Sequence, residues 1–147
     1  MSTYLYGKVL DFDKTNQNKR FYPKEEVLKA VEKYNTKSEQ LSEVMPMFRG
    51  PQINLDNVGA ICEGLYIVGN SLYAQLRILD VKNSNFMISV LQDEGKAMLS
   101  LRGNVSPTFV ENDVLYVKDL EIISIDVIPF DGFDENSVCV LQQCLSK

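Results

Sequence analysis

Residues 60–79 read AICEGLYIVGNSLYAQLRIL, and this stretch decides the fold class. From Leu72 to Ile78 every second residue is apolar, which is the period of a β-strand with one buried face. Gly69–Ser71 separates this strand from an equally apolar arm and is typical of a tight turn. We therefore predict an antiparallel β-hairpin with arms at 60–68 and 72–79.

Further strands are predicted on both sides of this hairpin. Residues 4–10 are rich in tyrosine and aliphatic side chains, and residues 97–103 and 114–128 are rich in aliphatic side chains. The last of these segments is long enough to bend or split near Lys118–Asp119. The chain is therefore dominated by strands.

Two helices are expected between the strands. Pro23 favours a helix start, and Val27, Leu28, Val31 and Tyr34 place an apolar stripe on the helix that follows. The second helix is predicted to begin at a cap supplied by Asn83 or Ser84 and to stop at Gly95, with Phe86, Met87, Val90 and Leu91 on its buried side. Residues 35–52 show a weak pattern, with one extra helical turn expected around Glu39 to Val44.

These elements predict an α+β, mostly β fold: a small β-barrel with two or more helices packed around it. A length of 147 residues favours a single domain, which we place at residues 1–130. Residues 131–147 are expected to form a C-terminal extension that contacts a partner.

Composition excludes several classes of function. The chain has no histidine, so it holds no Ser-His or Cys-His pair and no histidine-ligated zinc. Its formal net charge is −5, which disfavours nucleic-acid binding. Cys62, Cys139 and Cys144 are expected to be free thiols in a reducing compartment. Neither a secretory signal nor a membrane span is predicted, which indicates a soluble protein that is cytosolic at synthesis, and no cofactor or metal is expected.

One segment carries residues suited to catalysis. In a strand, Ser100 and Arg102 point to the same side, where a hydroxyl and a guanidinium can act as nucleophile and anion stabiliser. A serine nucleophile needs a base, and Lys96 is the candidate nearest in sequence. The alternative is an exposed polar strand face with no chemistry.

The order of motifs along the chain resembles that of the tailed-phage prohead (head maturation) proteases. The resemblance is carried by Asn16–Pro23 before a helix, Ile53–Val58, the Gly69-Asn70 turn, Ser100–Gly103, and Glu121–Ile128. It spans roughly Tyr4 to Phe130. The resemblance implies a small β-barrel surrounded by helices, related in fold to the herpesvirus assembly proteases, and it agrees with the pattern above.

The departures from this family fall on its chemistry. The resemblance implies histidines at two positions where this chain has Gly50 and Ala60, and a second serine where it has Leu101. Gly50, Ala60, Ser100 and Arg102 are therefore vestigial candidate positions, and no catalytic residue is predicted. A serine protease that lacks its base loses several powers of ten in rate.

The sequence therefore predicts a catalytically inactive homologue that serves as a phage structural protein. The expected partners are the major capsid protein or other virion proteins, with self-association possible and neither nucleic acid nor membrane involved. The expected location is the virion capsid, and the host cytoplasm during assembly. Two alternatives stay open: an active serine protease using Ser100 with a non-histidine base, and a regulatory partner of a separate phage protease.

Overall fold

The computed structural model describes residues 2–16, 19–93, 96–106, 109–129 and 140–144. In chain order the elements are β1 (Ser2–Asp11), β2 (Arg20–Phe21), α1 (Lys24–Tyr34), β3 (Leu41–Glu43), a short 3₁₀ helix (Leu55–Asn57), β4 (Val58–Val68), β5 (Ser71–Ile78), α2 (Lys82–Gln92), β6 (Ala97–Asn104), β7 (Phe109–Glu111), β8 (Val114–Tyr116), β9 (Glu121–Pro129) and β10 (Val140–Cys144).

The predicted hairpin is confirmed and forms the centre of the largest sheet. Strands β4 and β5 pair antiparallel across a turn in which Gly69 has a φ of +60°, a conformation that glycine adopts without strain. The inner side chains of β5, namely Leu72, Ala74 and Leu76, are fully buried. The sheet has the order β10-β1-β5-β4-β3.

Two smaller sheets complete the strand arrangement. One has the order β2-β8-β7, and the other pairs β6 with β9. The predicted split near Lys118–Asp119 is confirmed, because the chain leaves β8 and enters β9 through Asp119, whose φ is +52°. A parallel bridge between Val44 and Val127 links the largest sheet to β9.

The fold is mixed α/β and rich in strands, as predicted, but the small barrel is not confirmed. In the part of the chain that the structure describes, the strands lie in three sheets and do not close into one hydrogen-bonded ring. Among these residues, the largest sheet and β9 are joined by a single bridge at Val44, directly after β3, rather than by a ladder of paired residues.

The two predicted helices are both present. Helix α1 follows Pro23 directly and packs against β9 through a face that includes Val27, Val31 and Tyr34. Leu28 was expected on that face but is 41% exposed, because one residue turns the helix by about 100°.

Helix α2 begins without the predicted side-chain cap. Its N-cap is Val81, and Ser84 is instead buried in the first turn, where its hydroxyl donates to the Gly59 carbonyl oxygen at 2.6 Å. Met87 is buried, whereas Phe86 is exposed. The predicted stop at Gly95 lies outside the described residues.

The helical turn expected around Glu39 to Val44 is wrong. Residues Leu41–Glu43 form β3, which pairs with β4 at Leu41–Ile61 and Ser42–Ala60. Ser42 and Glu43 are fully buried. The conformation of this segment is therefore determined by strand pairing and burial rather than by local propensity.

Part of the predicted C-terminal extension belongs to the main sheet. Residues 140–144 form β10, which pairs antiparallel with β1 at the edge of that sheet. The remaining residues of the extension lie outside the described part of the chain. Neither described helix has the length and apolar run that crossing a bilayer requires.

The hairpin between β7 and β8 offers a test of backbone strain. Its two loop residues, Asn112 and Asp113, have φ of +52° and +64°, as a type I′ turn requires. We expect Asp113→Gly to raise the free energy of unfolding by about 0.5–1 kcal/mol, because relief of left-handed strain (about 1–2 kcal/mol) exceeds the entropy cost of glycine. Urea denaturation measures the change, and Asp113→Ala, which keeps a Cβ, is the control. A glycine variant less stable than the native chain would contradict the assignment of left-handed backbone strain to Asp113.

Candidate functional site

The predicted serine lies on β6, directly opposite an aspartate on β9. In the antiparallel register, Ser100 pairs with Asp126 and Arg102 pairs with Ser124. Ser100 is partly buried, whereas Asp126 is fully buried. The alternation of the strand thus brings the hydroxyl and the guanidinium of β6 next to a carboxylate of the neighbouring strand.

Arg49 is the side chain that contacts the serine hydroxyl. It lies in the loop after β3, and its Nη1 donates to Ser100 Oγ at 2.8 Å. Its Nη2 donates to Asp126 Oδ2 at 2.9 Å. One guanidinium therefore bridges the serine and the aspartate.

The Asp126 carboxylate is surrounded by donors. Its Oδ1 accepts the Glu43 backbone N–H at 2.9 Å and the Ser124 hydroxyl at 2.8 Å. Its Oδ2 also lies 3.2 Å from Arg102 Nη2, in addition to its bond from Arg49. Both oxygens of the Asp126 carboxylate are therefore engaged by neighbouring donors.

A second buried ion pair supports the first. Arg102 Nη1 donates to Glu43 Oε2 at 2.7 Å, and both side chains are almost completely inaccessible to solvent. Burial alone would raise the pKa of Glu43, but the hydrogen bonds from Arg102 and from the Asn54 backbone N–H outweigh it and hold that pKa below its ordinary value. The same pairing raises the pKa of Arg102 against the effect of burial. Both partners are therefore charged at neutral pH.

The structure places the other predicted site residues on different elements. Gly50 follows Arg49 and lines a cleft beside β6, whereas Ala60 is buried in β4, where it pairs with Ser42 and Ile78. Lys96 is exposed and precedes Ser100 by four residues, a separation of about 13 Å along a strand.

The site contains three residues that the sequence reading missed: Glu43, Arg49 and Asp126. A usable signal exists for Asp126, because it interrupts the apolar run of β9, and charged residues are almost never fully buried without a partner. Glu43 and Arg49 lie in a segment with no clear periodicity. No sequence pattern around these two residues indicates that they contact β6.

The described residues of the site form a network of charged groups, and neither a metal site nor a reactive thiol is found beside it. Among the described residues, no group of three metal-ligating side chains comes together. The thiol of Cys62 is buried, which raises its pKa to about 11, so it is not a ready nucleophile.

The comparisons with known proteins bear on the fold. No protein-family model matches the chain, and no curated protein sequence matches it. The solved structure of the capsid assembly protease gp21 of bacteriophage T4 matches with a TM-score of 0.76 and 22% sequence identity, over 86% of this chain and 82% of that one. The chain has the fold of a phage prohead protease. This match supports the prohead-protease-like fold that the order of motifs implied, but it shows neither a closed barrel nor whether the chain is active.

Proposed function

We propose that this chain is a non-catalytic phage protein that keeps the prohead protease fold for contacts with the capsid shell during assembly. The observation that carries the proposal is the hydrogen bond from Arg49 to Ser100. A serine nucleophile needs a neighbour that removes its proton, and a guanidinium only donates.

The other groups near the serine support the same conclusion. Asp126, opposite Ser100, is occupied by two arginines, a serine hydroxyl and a backbone N–H. Glu43 is held by Arg102 and by the Asn54 backbone N–H. Both carboxylates of this site are therefore engaged in hydrogen bonds that stabilise the fold. This fits a protein that has kept the protease fold but has no base for its serine.

The capsid contact is inferred from the fold. The similar T4 protein is a capsid assembly protease. We infer that a chain with the same fold has a surface that contacts capsid proteins. Fold alone does not decide function, so the partner is the part of the proposal that most needs an experiment.

The test is a capture experiment in infected cells. We expect an affinity-tagged chain to co-purify with the major capsid protein, and the intact chain to be present in purified proheads or virions at many copies per particle by quantitative mass spectrometry. Co-purification with a separate phage protease instead, together with absence from proheads and virions, would contradict the capsid role and favour a regulatory partner.

A further inference from the structure

The outer face of helix α2 is exposed to solvent and has no charge in its middle. The inner face is fixed by Ser84 and Met87, which are fully buried. On the other side Phe86 is 62% exposed. No charged residue occurs from Asn83 to Gln92, in a chain of which 24% of the residues are charged. An exposed, uncharged helix face with an aromatic ring is typical of a contact with another protein chain.

Four positions form one stripe along this face, which we call the outer stripe: Lys82, Phe86, Ser89 and Asp93. Their spacings of four, three and four residues keep them on one side of an α-helix, and all four are exposed. Asp93 is the C-cap, and its backbone N–H donates to the Ser89 carbonyl oxygen at 3.1 Å, so helical hydrogen bonding extends to it. The outer stripe is about 16 Å long.

The two ends of the outer stripe carry opposite charges. Neither Lys82 nor Asp93 forms an ion pair with any residue that the structure describes. Each charge also lies at the end of α2 where the helix dipole opposes it, because a helix N-terminus is positive and a C-terminus is negative. Both charges would therefore be stabilised by a second helix that runs in the opposite direction.

The middle of the outer stripe places a large side chain beside a small one. Phe86 and Ser89 lie at equal distances from the midpoint of the stripe, so reversing the stripe brings each ring against a serine. The Ser89 hydroxyl donates to the Asn85 carbonyl oxygen at 3.0 Å within the helix. Covering Ser89 therefore leaves no hydroxyl donor without an acceptor.

We propose that the outer stripe is a homodimer contact in which two copies of this chain pack their α2 helices antiparallel about a two-fold axis. The axis pairs Lys82 of each copy with Asp93 of the other, and Phe86 of each copy with Ser89 of the other. The occupant is a second copy because the stripe is complementary in charge and in size to its own reverse. Four positions bury less surface than a standard interface, so we expect a weak dimer with a Kd of about 100 μM.

The first test is sedimentation equilibrium of the purified chain at concentrations up to about 1 mM. We expect a reversible monomer–dimer equilibrium that salt weakens, because salt screens exposed ion pairs. Phe86→Ser is expected to raise the dimer Kd at least about tenfold. The matched control is Phe48→Ser, which removes a ring that is 79% exposed in the loop after β3 and is expected to leave the Kd unchanged.

The second test exchanges the charges at the ends of the outer stripe. Lys82→Glu makes both ends acidic and Asp93→Lys makes both ends basic, so each variant alone is expected to dimerise at least about tenfold more weakly than the native chain. An equimolar mixture of the two variants restores opposite charges at both ends and is expected to associate about as tightly as the native chain. All these positions are exposed, so the thermal melting temperatures are expected to stay the same.

Three results would overturn the proposal: a native chain that stays monomeric at about 1 mM, equal effects of Phe86→Ser and Phe48→Ser, or a mixture that associates no more tightly than either charge variant alone. A monomeric chain that loses co-purification with the capsid protein on Phe86→Ser would assign the outer stripe to that partner instead. The measurement is independent of the proposed function, because it uses the purified chain without capsid protein and measures no cleavage.

Discussion

Replacing Arg102 with methionine is expected to lower the free energy of unfolding by about 3–5 kcal/mol. Glu43 and Asp126 are both fully buried, and Arg102 contacts both carboxylates. Its loss leaves Glu43 with only weak or backbone donors in a region without solvent. Urea denaturation followed by circular dichroism measures the change.

The matched control is Arg77→Met. Arg77 pairs with Glu63 at 3.3 Å, but both side chains are more than one third exposed, so the expected cost is at most about 1 kcal/mol. The double variant Arg102→Met with Glu43→Gln is expected to recover part of the loss, because it removes the uncompensated charge. If Arg102→Met cost no more than Arg77→Met, the buried network would not stabilise the fold.

Replacing Gly103 with alanine is expected to lower the free energy of unfolding by about 1–3 kcal/mol. A Cβ at this position would lie 2.8 Å from the Glu121 carbonyl oxygen and 2.9 Å from Leu120 Cδ1. The first contact is to the backbone of the paired strand β9, at the place where the register of β6 and β9 shifts. The two strands must separate locally to admit the methyl group, and thermal or urea denaturation will show the loss.

Gly50 provides the control for this substitution. It lines the same cleft beside β6 as Gly103, but a Cβ there would lie 3.9 Å from the Gln52 carbonyl oxygen and from the Phe48 ring, an ordinary contact distance. Gly50→Ala is therefore expected to leave stability nearly unchanged or slightly increased. Equal stability of the two alanine variants would show that the close approach at Gly103 does not constrain the sheet.

Much of the fold follows from local pattern. The alternation from Leu72 to Ile78 specifies β5, and Pro23 specifies the start of α1. These signals are strong because each element buries one face along its whole length. The order of motifs along the chain further indicates a prohead-protease-like fold, and the match to the T4 structure supports that fold.

The candidate site follows from local pattern only in part. Ser100 and Arg102 are predictable as neighbours on one strand face, but their partners come from residues 43, 49 and 126. Strand β3 has three residues and is formed by pairing with β4, so its own sequence indicates neither a strand nor the burial of Glu43. Contacts between distant segments leave no periodic trace in the sequence.

The most direct test of the central claim, that Ser100 has no base, is reaction of the purified chain with a serine-reactive fluorophosphonate, read by intact-mass spectrometry. Arg49 holds the hydroxyl by donating to it, and such a contact does not generate an alkoxide. We therefore expect no adduct on the native chain or on Ser100→Ala, under conditions that label an active serine protease. A stoichiometric adduct on the native chain that is lost in Ser100→Ala would contradict the account.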